Sequence, residues 1–322
     1  GFNTDVSGSK GKTLSIASMS GTGGLTIKNN PTTVKITGTS TYTGNTNVDY
    51  GTLELQADVS SAEIIVANGA KLIINGNDVD VQKLTINSGG TVEVKAGKSL
   101  TVNGDLNNNG TLNLLSSVDG TATILTNGTV SGSGTNNVNQ YLTYRTWYMS
   151  SPVASATPAG MNRIKYFDET QAGNIWTLAT TMTAGKGYLV VPTDDEDHIS
   201  NILFTGTLNT GNLNIPLTRS AANTEKPGFN LIGNPYPSYL DWTKVCNYST
   251  DAGFTKPNTA IMPTTTMWYR TKVAKQGEPV TYEYKFWTVN GDGVGTPATA
   301  SKNIPPMQAF WVRAAASGNL AL

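Results

Sequence analysis

The sequence predicts an all-β protein in two parts: a single-stranded parallel β-helix over residues 1–140, then an antiparallel β-sandwich or jelly roll over residues 141–322. Three observations predict it. A short Gly-led motif recurs at intervals of 18 to 21 residues, apolar and polar positions alternate within each copy, and the composition changes abruptly near Asn139–Tyr141. Of 26 Phe, Tyr and Trp residues, only Phe2, Tyr42 and Tyr50 precede residue 140, and Pro31 stands alone there among 14 prolines. All five arginines (145, 163, 219, 270 and 313) come later, whereas the first 140 residues hold 20 Gly and 18 Asn.

The repeats run Gly51-Thr-Leu-Glu-Leu55, Gly69-Ala-Lys-Leu-Ile73, Gly90-Thr-Val-Glu-Val94, Gly110-Thr-Leu-Asn-Leu114 and Gly128-Thr-Val130. Alternation at period two means strands with one buried face. A strand this short cannot bury its face alone, so a repeat near 19 residues implies stacked coils. The period is too short for a helix pair or a propeller blade, and the Leu-x-x-Leu-x-Leu-x-x-Asn run of leucine-rich repeats is missing. Asn and Gly suit corners that need positive φ. About seven coils at roughly 4.8 Å spacing would make a rod of roughly 35 Å. Aromatic side chains are scarce because Leu, Ile and Val are expected to stack on copies of themselves in a narrow core.

Residues 36–72 carry a resemblance. The run from Ile36 through Tyr42-Thr-Gly44-Asn-Thr-Asn-Val48 into Gly51-Thr-Leu53-Glu-Leu55, continued by Ala67-Asn-Gly-Ala-Lys-Leu72, resembles the autotransporter-associated β-strand repeat. That resemblance implies a β-helical passenger or adhesin stalk on a secreted protein.

In the second part, eight strands are predicted: 146–150, 164–167, 187–191, 202–204, 230–232, 267–270, 282–288 and 309–312. Turns rich in Gly, Pro, Asn and Asp separate them. Strands without helical patterns between them argue for an antiparallel sandwich. The order Arg145-Thr-Trp147, Gly185-Lys-Gly187-Tyr188, Gly233-Asn-Pro-Tyr-Pro237, Asp241-Trp242 and Pro305-Pro-Met-Gln-Ala-Phe-Trp311 is similar to a module common in large secreted proteins of Bacteroidetes. Such modules often precede a carboxy-terminal sorting domain of the type nine secretion system. The resemblance implies export to the surface or medium of a Gram-negative bacterium, and it brings no catalytic residues. Any leader or sorting domain is expected to have been removed or to lie outside the sequence. Read physically, Gly233-Asn-Pro-Tyr-Pro237 is a pinned structural loop, because its prolines fix φ and remove donors.

The remaining residues limit the chemistry. With 22 Lys+Arg against 22 Asp+Glu, no basic excess draws the chain to nucleic acid. A single cysteine, Cys246, excludes an internal disulfide, and one histidine, His198, excludes a multi-His metal site. No apolar run of about 18 residues predicts a membrane-spanning helix. A glycoside hydrolase on the β-helix would need paired carboxylates, but the nearest pair, Asp78 and Asp80, sits in a turn-like Asn-Gly-Asn-Asp context. The run Asp194, Asp195, Glu196, Asp197 offers oxygen ligands for Ca²⁺, weighed against a solvated loop. Asn290-Gly-Asp-Gly-Val-Gly295 lacks the Lys and helix of a phosphate cradle. No cofactor is expected.

Sugar-binding sandwiches present flat aromatic faces, and Trp176, Trp268, Tyr269, Trp287 and Trp311 are the candidates. Trp268 and Tyr269 must point to opposite faces of their strand, and Tyr284 and Phe286 share a face opposite Trp287. The expected function is that of a non-catalytic, adhesin-like surface protein, its partner an extracellular glycan or protein surface. The alternatives are a carbohydrate-binding or carbohydrate-active protein, or a structural surface-layer or fimbrial component.

Overall fold

The computed structural model describes residues 4–6, 11–28, 32–173, 175–193, 199–246, 258–274 and 282–322. Among the described residues it is all-β apart from the single helical turn Trp242–Val245, and two compact units divide the chain. The first comprises residues 1–143 and 199–208, the second residues 144–198 and 209–322.

The first unit is a parallel β-solenoid of about six turns. One face carries the strands Leu25–Ile27, Thr46–Val48, Ile64–Val66, Leu84–Ile86 and Leu106–Asn108. A second carries Thr33–Ile36, Thr52–Leu55, Lys71–Ile74, Thr91–Val94 and Thr111–Leu114. A third, shorter face stacks Val79–Val81, Ser99–Val102 and Thr123–Thr126. Register follows the alternation read in the sequence. On the second face Val34, Leu53, Leu72, Val92 and Leu112 form one buried column, and Ile36, Leu55, Ile74, Val94 and Leu114 form the next. Each buried aliphatic side chain contributes about 1.5–3 kcal/mol, so the columns hold the coils together. Outward positions carry the charges, with Lys35 on Glu54 at 3.2 Å and Lys71 on Glu93 at 2.9 Å, each pair spanning neighbouring coils.

Corners explain the glycines. Gly69 turns its corner at φ 76°. At Gly110 a Cβ would collide with the carbonyl oxygen of Gly90 one coil below, so this corner admits no side chain.

The fifth motif copy falls on a different face from the other four. Val130–Ser131 pairs with Leu106–Asn108, while Thr111–Leu114 pairs with Thr135–Thr143. The hairpin Ser116–Ser117 to Gly120–Thr121 lengthens that coil, so Thr111 meets Thr135 and the spacing of the motif no longer matches the spacing of the rung.

The last coil closes with polar groups and a borrowed strand. Ile199–Thr205 pairs antiparallel with Thr135–Thr143, from Asn137↔Thr205 to Thr143↔Ile199, and buries Ile202 and Phe204. Thr135–Thr143 also runs through the point at which the composition changes. Below it the aliphatic columns give way to buried Asn108 and Asn136. Asn108 Nδ2 donates to Asn136 Oδ1 at 2.9 Å, and Asn136 Nδ2 donates to the Gly206 carbonyl at 3.0 Å. An antiparallel strand thus satisfies the backbone groups that a bare solenoid end would expose.

The second unit contains two larger antiparallel sheets. Four strands run in the order Trp147–Met149, Tyr188–Pro192, Met161–Phe167, Trp176–Ala179. Five run in the order Phe229–Gly233, Ala309–Arg313, Met267–Ala274, Tyr282–Val289, Gly295–Thr296. All eight predicted strands are present, with Ile199–Thr205 serving the first unit. One side of the five-stranded sheet packs Met267, Val289, Phe310 and Val312 against Trp242, Met262 and Leu320. Trp242 is fully buried in the helical turn, whose Asp241 cap accepts from the Thr243 N–H at 2.9 Å.

The Gly-Asn-Pro-Tyr-Pro loop ties these parts together. Asn234 is buried, and its Nδ2 donates to the carbonyls of Ser238 (2.7 Å), Ile304 (3.1 Å) and Pro305 (3.0 Å). Buried Asn209 donates to the Pro235 carbonyl at 2.8 Å, and the Tyr236 hydroxyl to that of Gly211 at 2.7 Å. Among the described residues no helix is long and apolar enough to cross a membrane.

Candidate functional site

The other side of the five-stranded sheet carries an aromatic recess of the second unit. Cross-strand pairing sets Trp268 beside Trp311, and Trp311 beside Leu231. Alternation then places Trp268, Arg270, Tyr284 and Phe286 on that side, and Met267, Tyr269 and Trp287 on the core side. Tyr148 and Trp176 come from the four-stranded sheet. With Lys226, Phe229 and Phe286 they and the two tryptophans line a recess of about 490 Å³.

The rings brace one another. Tyr148 stacks on Trp176 with centroids 6.1 Å apart, and both meet Trp311 edge-on at 6.0 Å. Phe167 supports Trp311 from behind at 5.1 Å, while Phe229 leans on Trp268 at 5.5 Å. Such edge and offset contacts add about 0.5–1.5 kcal/mol beyond burial, so the wall is stiff before anything binds. Phe286 stands 54% exposed at the mouth, and Lys226 is the one charged lining side chain among the described residues.

The candidates chosen from sequence separate by strand face. Trp176 and Trp268 meet in this recess, and Trp311 joins them. Tyr269 and Trp287 do not: they lie on the core side, edge to face at 6.0 Å. The Tyr269 hydroxyl accepts from the Ser301 N–H at 3.0 Å, and burial pushes its pKa up. Tyr148, Phe229 and Lys226 also line the recess, and nothing local in the sequence marks them. Their strands and loops are distant in the chain, and only sheet packing brings them together. Asp194, Asp195 and Asp197, the Ca²⁺ candidates, lie outside the described residues.

Polar groups elsewhere are committed to structure. Asp78 accepts from Ser99 Oγ at 2.8 Å, and the Asp80 N–H donates to Asp58 at 3.0 Å. The 290–295 segment closes a hairpin, with the Val294 N–H on Asp292 at 2.9 Å. Cys246 is buried, which pushes its thiol up to about 12.

One column of ionisable side chains does cross coils. Glu63, Lys83 and Asp105 line a shallow polar recess on the first face. Glu63 and Asp105 stand two coils apart, about 10 Å at the usual strand spacing, near the separation that inverting hydrolysis uses. Lys83 lies between them, 3.6 Å from Asp105, while Glu63 accepts from the Thr85 hydroxyl at 2.6 Å. The Thr129 N–H, and then Lys83, hold Asp105 below the usual carboxylate range, so this acid is ionised and cannot donate a proton at neutral pH. The column reads as an alternating charge ladder.

A family model described as a domain of unknown function, DUF8693, matches residues 58–321. The chain belongs to this family. The DUF8693 match starts within the solenoid and takes in nearly all of the second unit, so the matched segment spans both kinds of architecture. It names neither the autotransporter-associated repeat nor the Bacteroidetes module. No curated protein and no solved structure matches this DUF8693 member.

Proposed function

We propose that this chain is a non-catalytic, exported, adhesin-like surface protein of a Gram-negative bacterium, in which the β-solenoid is a scaffold and the second unit is the binding module. The observation that carries this reading is the recess of Tyr148, Trp176, Phe229, Trp268, Phe286 and Trp311. An open, braced aromatic surface suits recognition, since flat rings supply contact area at low conformational cost. Among the described residues no lining carboxylate stands there for acid–base chemistry. The resemblances to the autotransporter-associated repeat and to the Bacteroidetes module support export. The two antiparallel sheets are read as a sandwich, a reading supported by the Tyr148, Phe167 and Trp176 rings of one meeting Trp311 of the other.

Sugar is the favoured class of ligand, because Trp176, Trp268 and Trp311 lie in one recess rather than scattered in the core. A glycan array probed with the full chain and with Trp268→Ala tests the reading. Selective binding that Trp268→Ala abolishes supports it. Polysaccharide turnover, lost on changing Glu63 or Asp105, would overturn it in favour of a hydrolase.

A further inference from the structure

Beside the aromatic recess the second unit holds two guanidinium groups with no counter-ion among the described residues. Arg270 projects from the same sheet face as Trp268 and lies 4.7 Å from the Tyr148 ring, itself part of the recess. Its Nη2 donates to the Thr146 carbonyl, which pins it. On its other side Arg270 meets the Tyr284 ring at 4.8 Å, and Arg145 approaches the same ring at 5.5 Å while lying over Trp147 at 3.5 Å. Both arginines line a second recess of about 470 Å³, whose wall joins Ser301, Asn303 and Gln308 to Met267 and Tyr269 of the core side and, among the described residues, holds no carboxylate.

Among the described residues neither arginine has an ion pair. Arg145 Nε is buried without a hydrogen-bond partner. Burial lowers the Arg145 pKa and Arg270 lowers it further, partly offset by Tyr284. Two like charges on one ring, one with a buried unused donor, are costly unless an anion completes them. Arginine forks match planar anions such as carboxylate or sulfate.

We infer that the Arg145–Arg270 pair binds the anionic group of an acidic polysaccharide whose sugar rings lie on the neighbouring aromatic recess. This deepens the glycan-binding reading by naming the class of glycan. A neutral glycan would leave the pair uncompensated, and an acidic peptide would make little use of a wall of flat rings.

Isothermal titration calorimetry of the full chain with hexagalacturonate, a sulfated hexasaccharide, maltohexaose and polyglutamate tests it. Acidic glycans are expected to bind more tightly than maltohexaose, and to weaken with added salt. Arg145→Gln is expected to weaken them by about tenfold to a hundredfold, the worth of one hydrogen bond to a charged group, and to leave maltohexaose unchanged. The order of the two acidic glycans identifies carboxylate or sulfate as the anion. Arg270→Lys, which keeps a cation but loses the fork, gives a second readout if Arg145→Gln does not fold. Equal affinity for acidic and neutral glycans, no binding of either acidic glycan, indifference to both variants, or tighter binding of polyglutamate would each overturn the inference. Trp268→Ala separates the two levels. If it weakens every glycan while Arg145→Gln changes none, the aromatic surface stands and the anion site falls. If only Arg145→Gln weakens acidic glycans, the anion site stands and the aromatic platform falls.

Discussion

The six tryptophans differ by environment more than by neighbourhood in the chain. Trp242 is fully buried against Phe310 at 5.5 Å and donates from Nε1 to the Thr265 carbonyl at 3.1 Å. Trp268 has one face on the recess. Trp242→Ala is therefore expected to destabilise the second unit by about 3–5 kcal/mol, the cost of emptying a core site of this size. Trp268→Ala should cost less than half of that in the same urea titration, a contrast that equal losses would remove. Asn234 makes a similar distinction among polar residues. Its three carbonyl partners each lose a donor in Asn234→Ala, the Pro305 carbonyl keeping the Gln308 N–H, for an expected loss of about 1–3 kcal/mol. Here the sequence was informative in kind but not in placement. Alternation within Met267–Arg270 separated Trp268 from Tyr269, yet nothing local said which side was core. That was decided by Trp242 and Leu320, both remote in the chain.

Strands and coils are where the sequence was most legible. Each coil buries the same positions, so motif spacing and alternation mapped directly onto rungs from Thr52 to Leu114. Legibility ended at the hairpin of residues 116–121, because an insertion shifts every later strand without leaving a repeat signature. The outward faces carry a pH dependence whose sign follows from the ion pairs. Burial raises the Glu93 pKa, but hydrogen bonds from Lys95 and Lys71 outweigh it and leave the acid below its ordinary value. Glu54 behaves alike, with Asn75, Gln56 and Lys35 outweighing burial. A carboxyl with a depressed folded pKa contributes stability that is present above the unfolded value, near 4.5, and is lost as pH falls through the folded one. The first unit should therefore weaken below about pH 4.5, and Glu93→Gln should flatten that slope. Because these side chains are partly solvated, the change should stay under about 1 kcal/mol at pH 7. A thermal-melt series across pH 2–7 checks it, and an unchanged slope in Glu93→Gln would count against the assignment.

At the scale of the molecule, sequence order and structural membership part company. Ile199–Thr205 is encoded amid the second unit but completes the sheet of the first. Two consequences follow from the physics of an open sheet edge. The last coil cannot reach its native state until chain far beyond residue 143 has been made, because Phe204 and Ile202 supply its apolar cover. Stability in the first unit must also respond to changes at those remote positions. Phe204→Ala is expected to cost about 3–5 kcal/mol, and amide hydrogen exchange shows where that loss falls. Protection in Thr135–Thr143 and Thr111–Leu114 should drop first, the effect fading toward Thr33–Ile36, since each coil touches only its neighbours. Protection in Phe229–Gly233 and Ala309–Arg313 should hold, because those strands draw their core from Trp242 and Phe310. A uniform loss across all these strands would mean that the two units unfold as one, and that the borrowed strand couples the second unit's core to the solenoid as well as closing the solenoid's last coil.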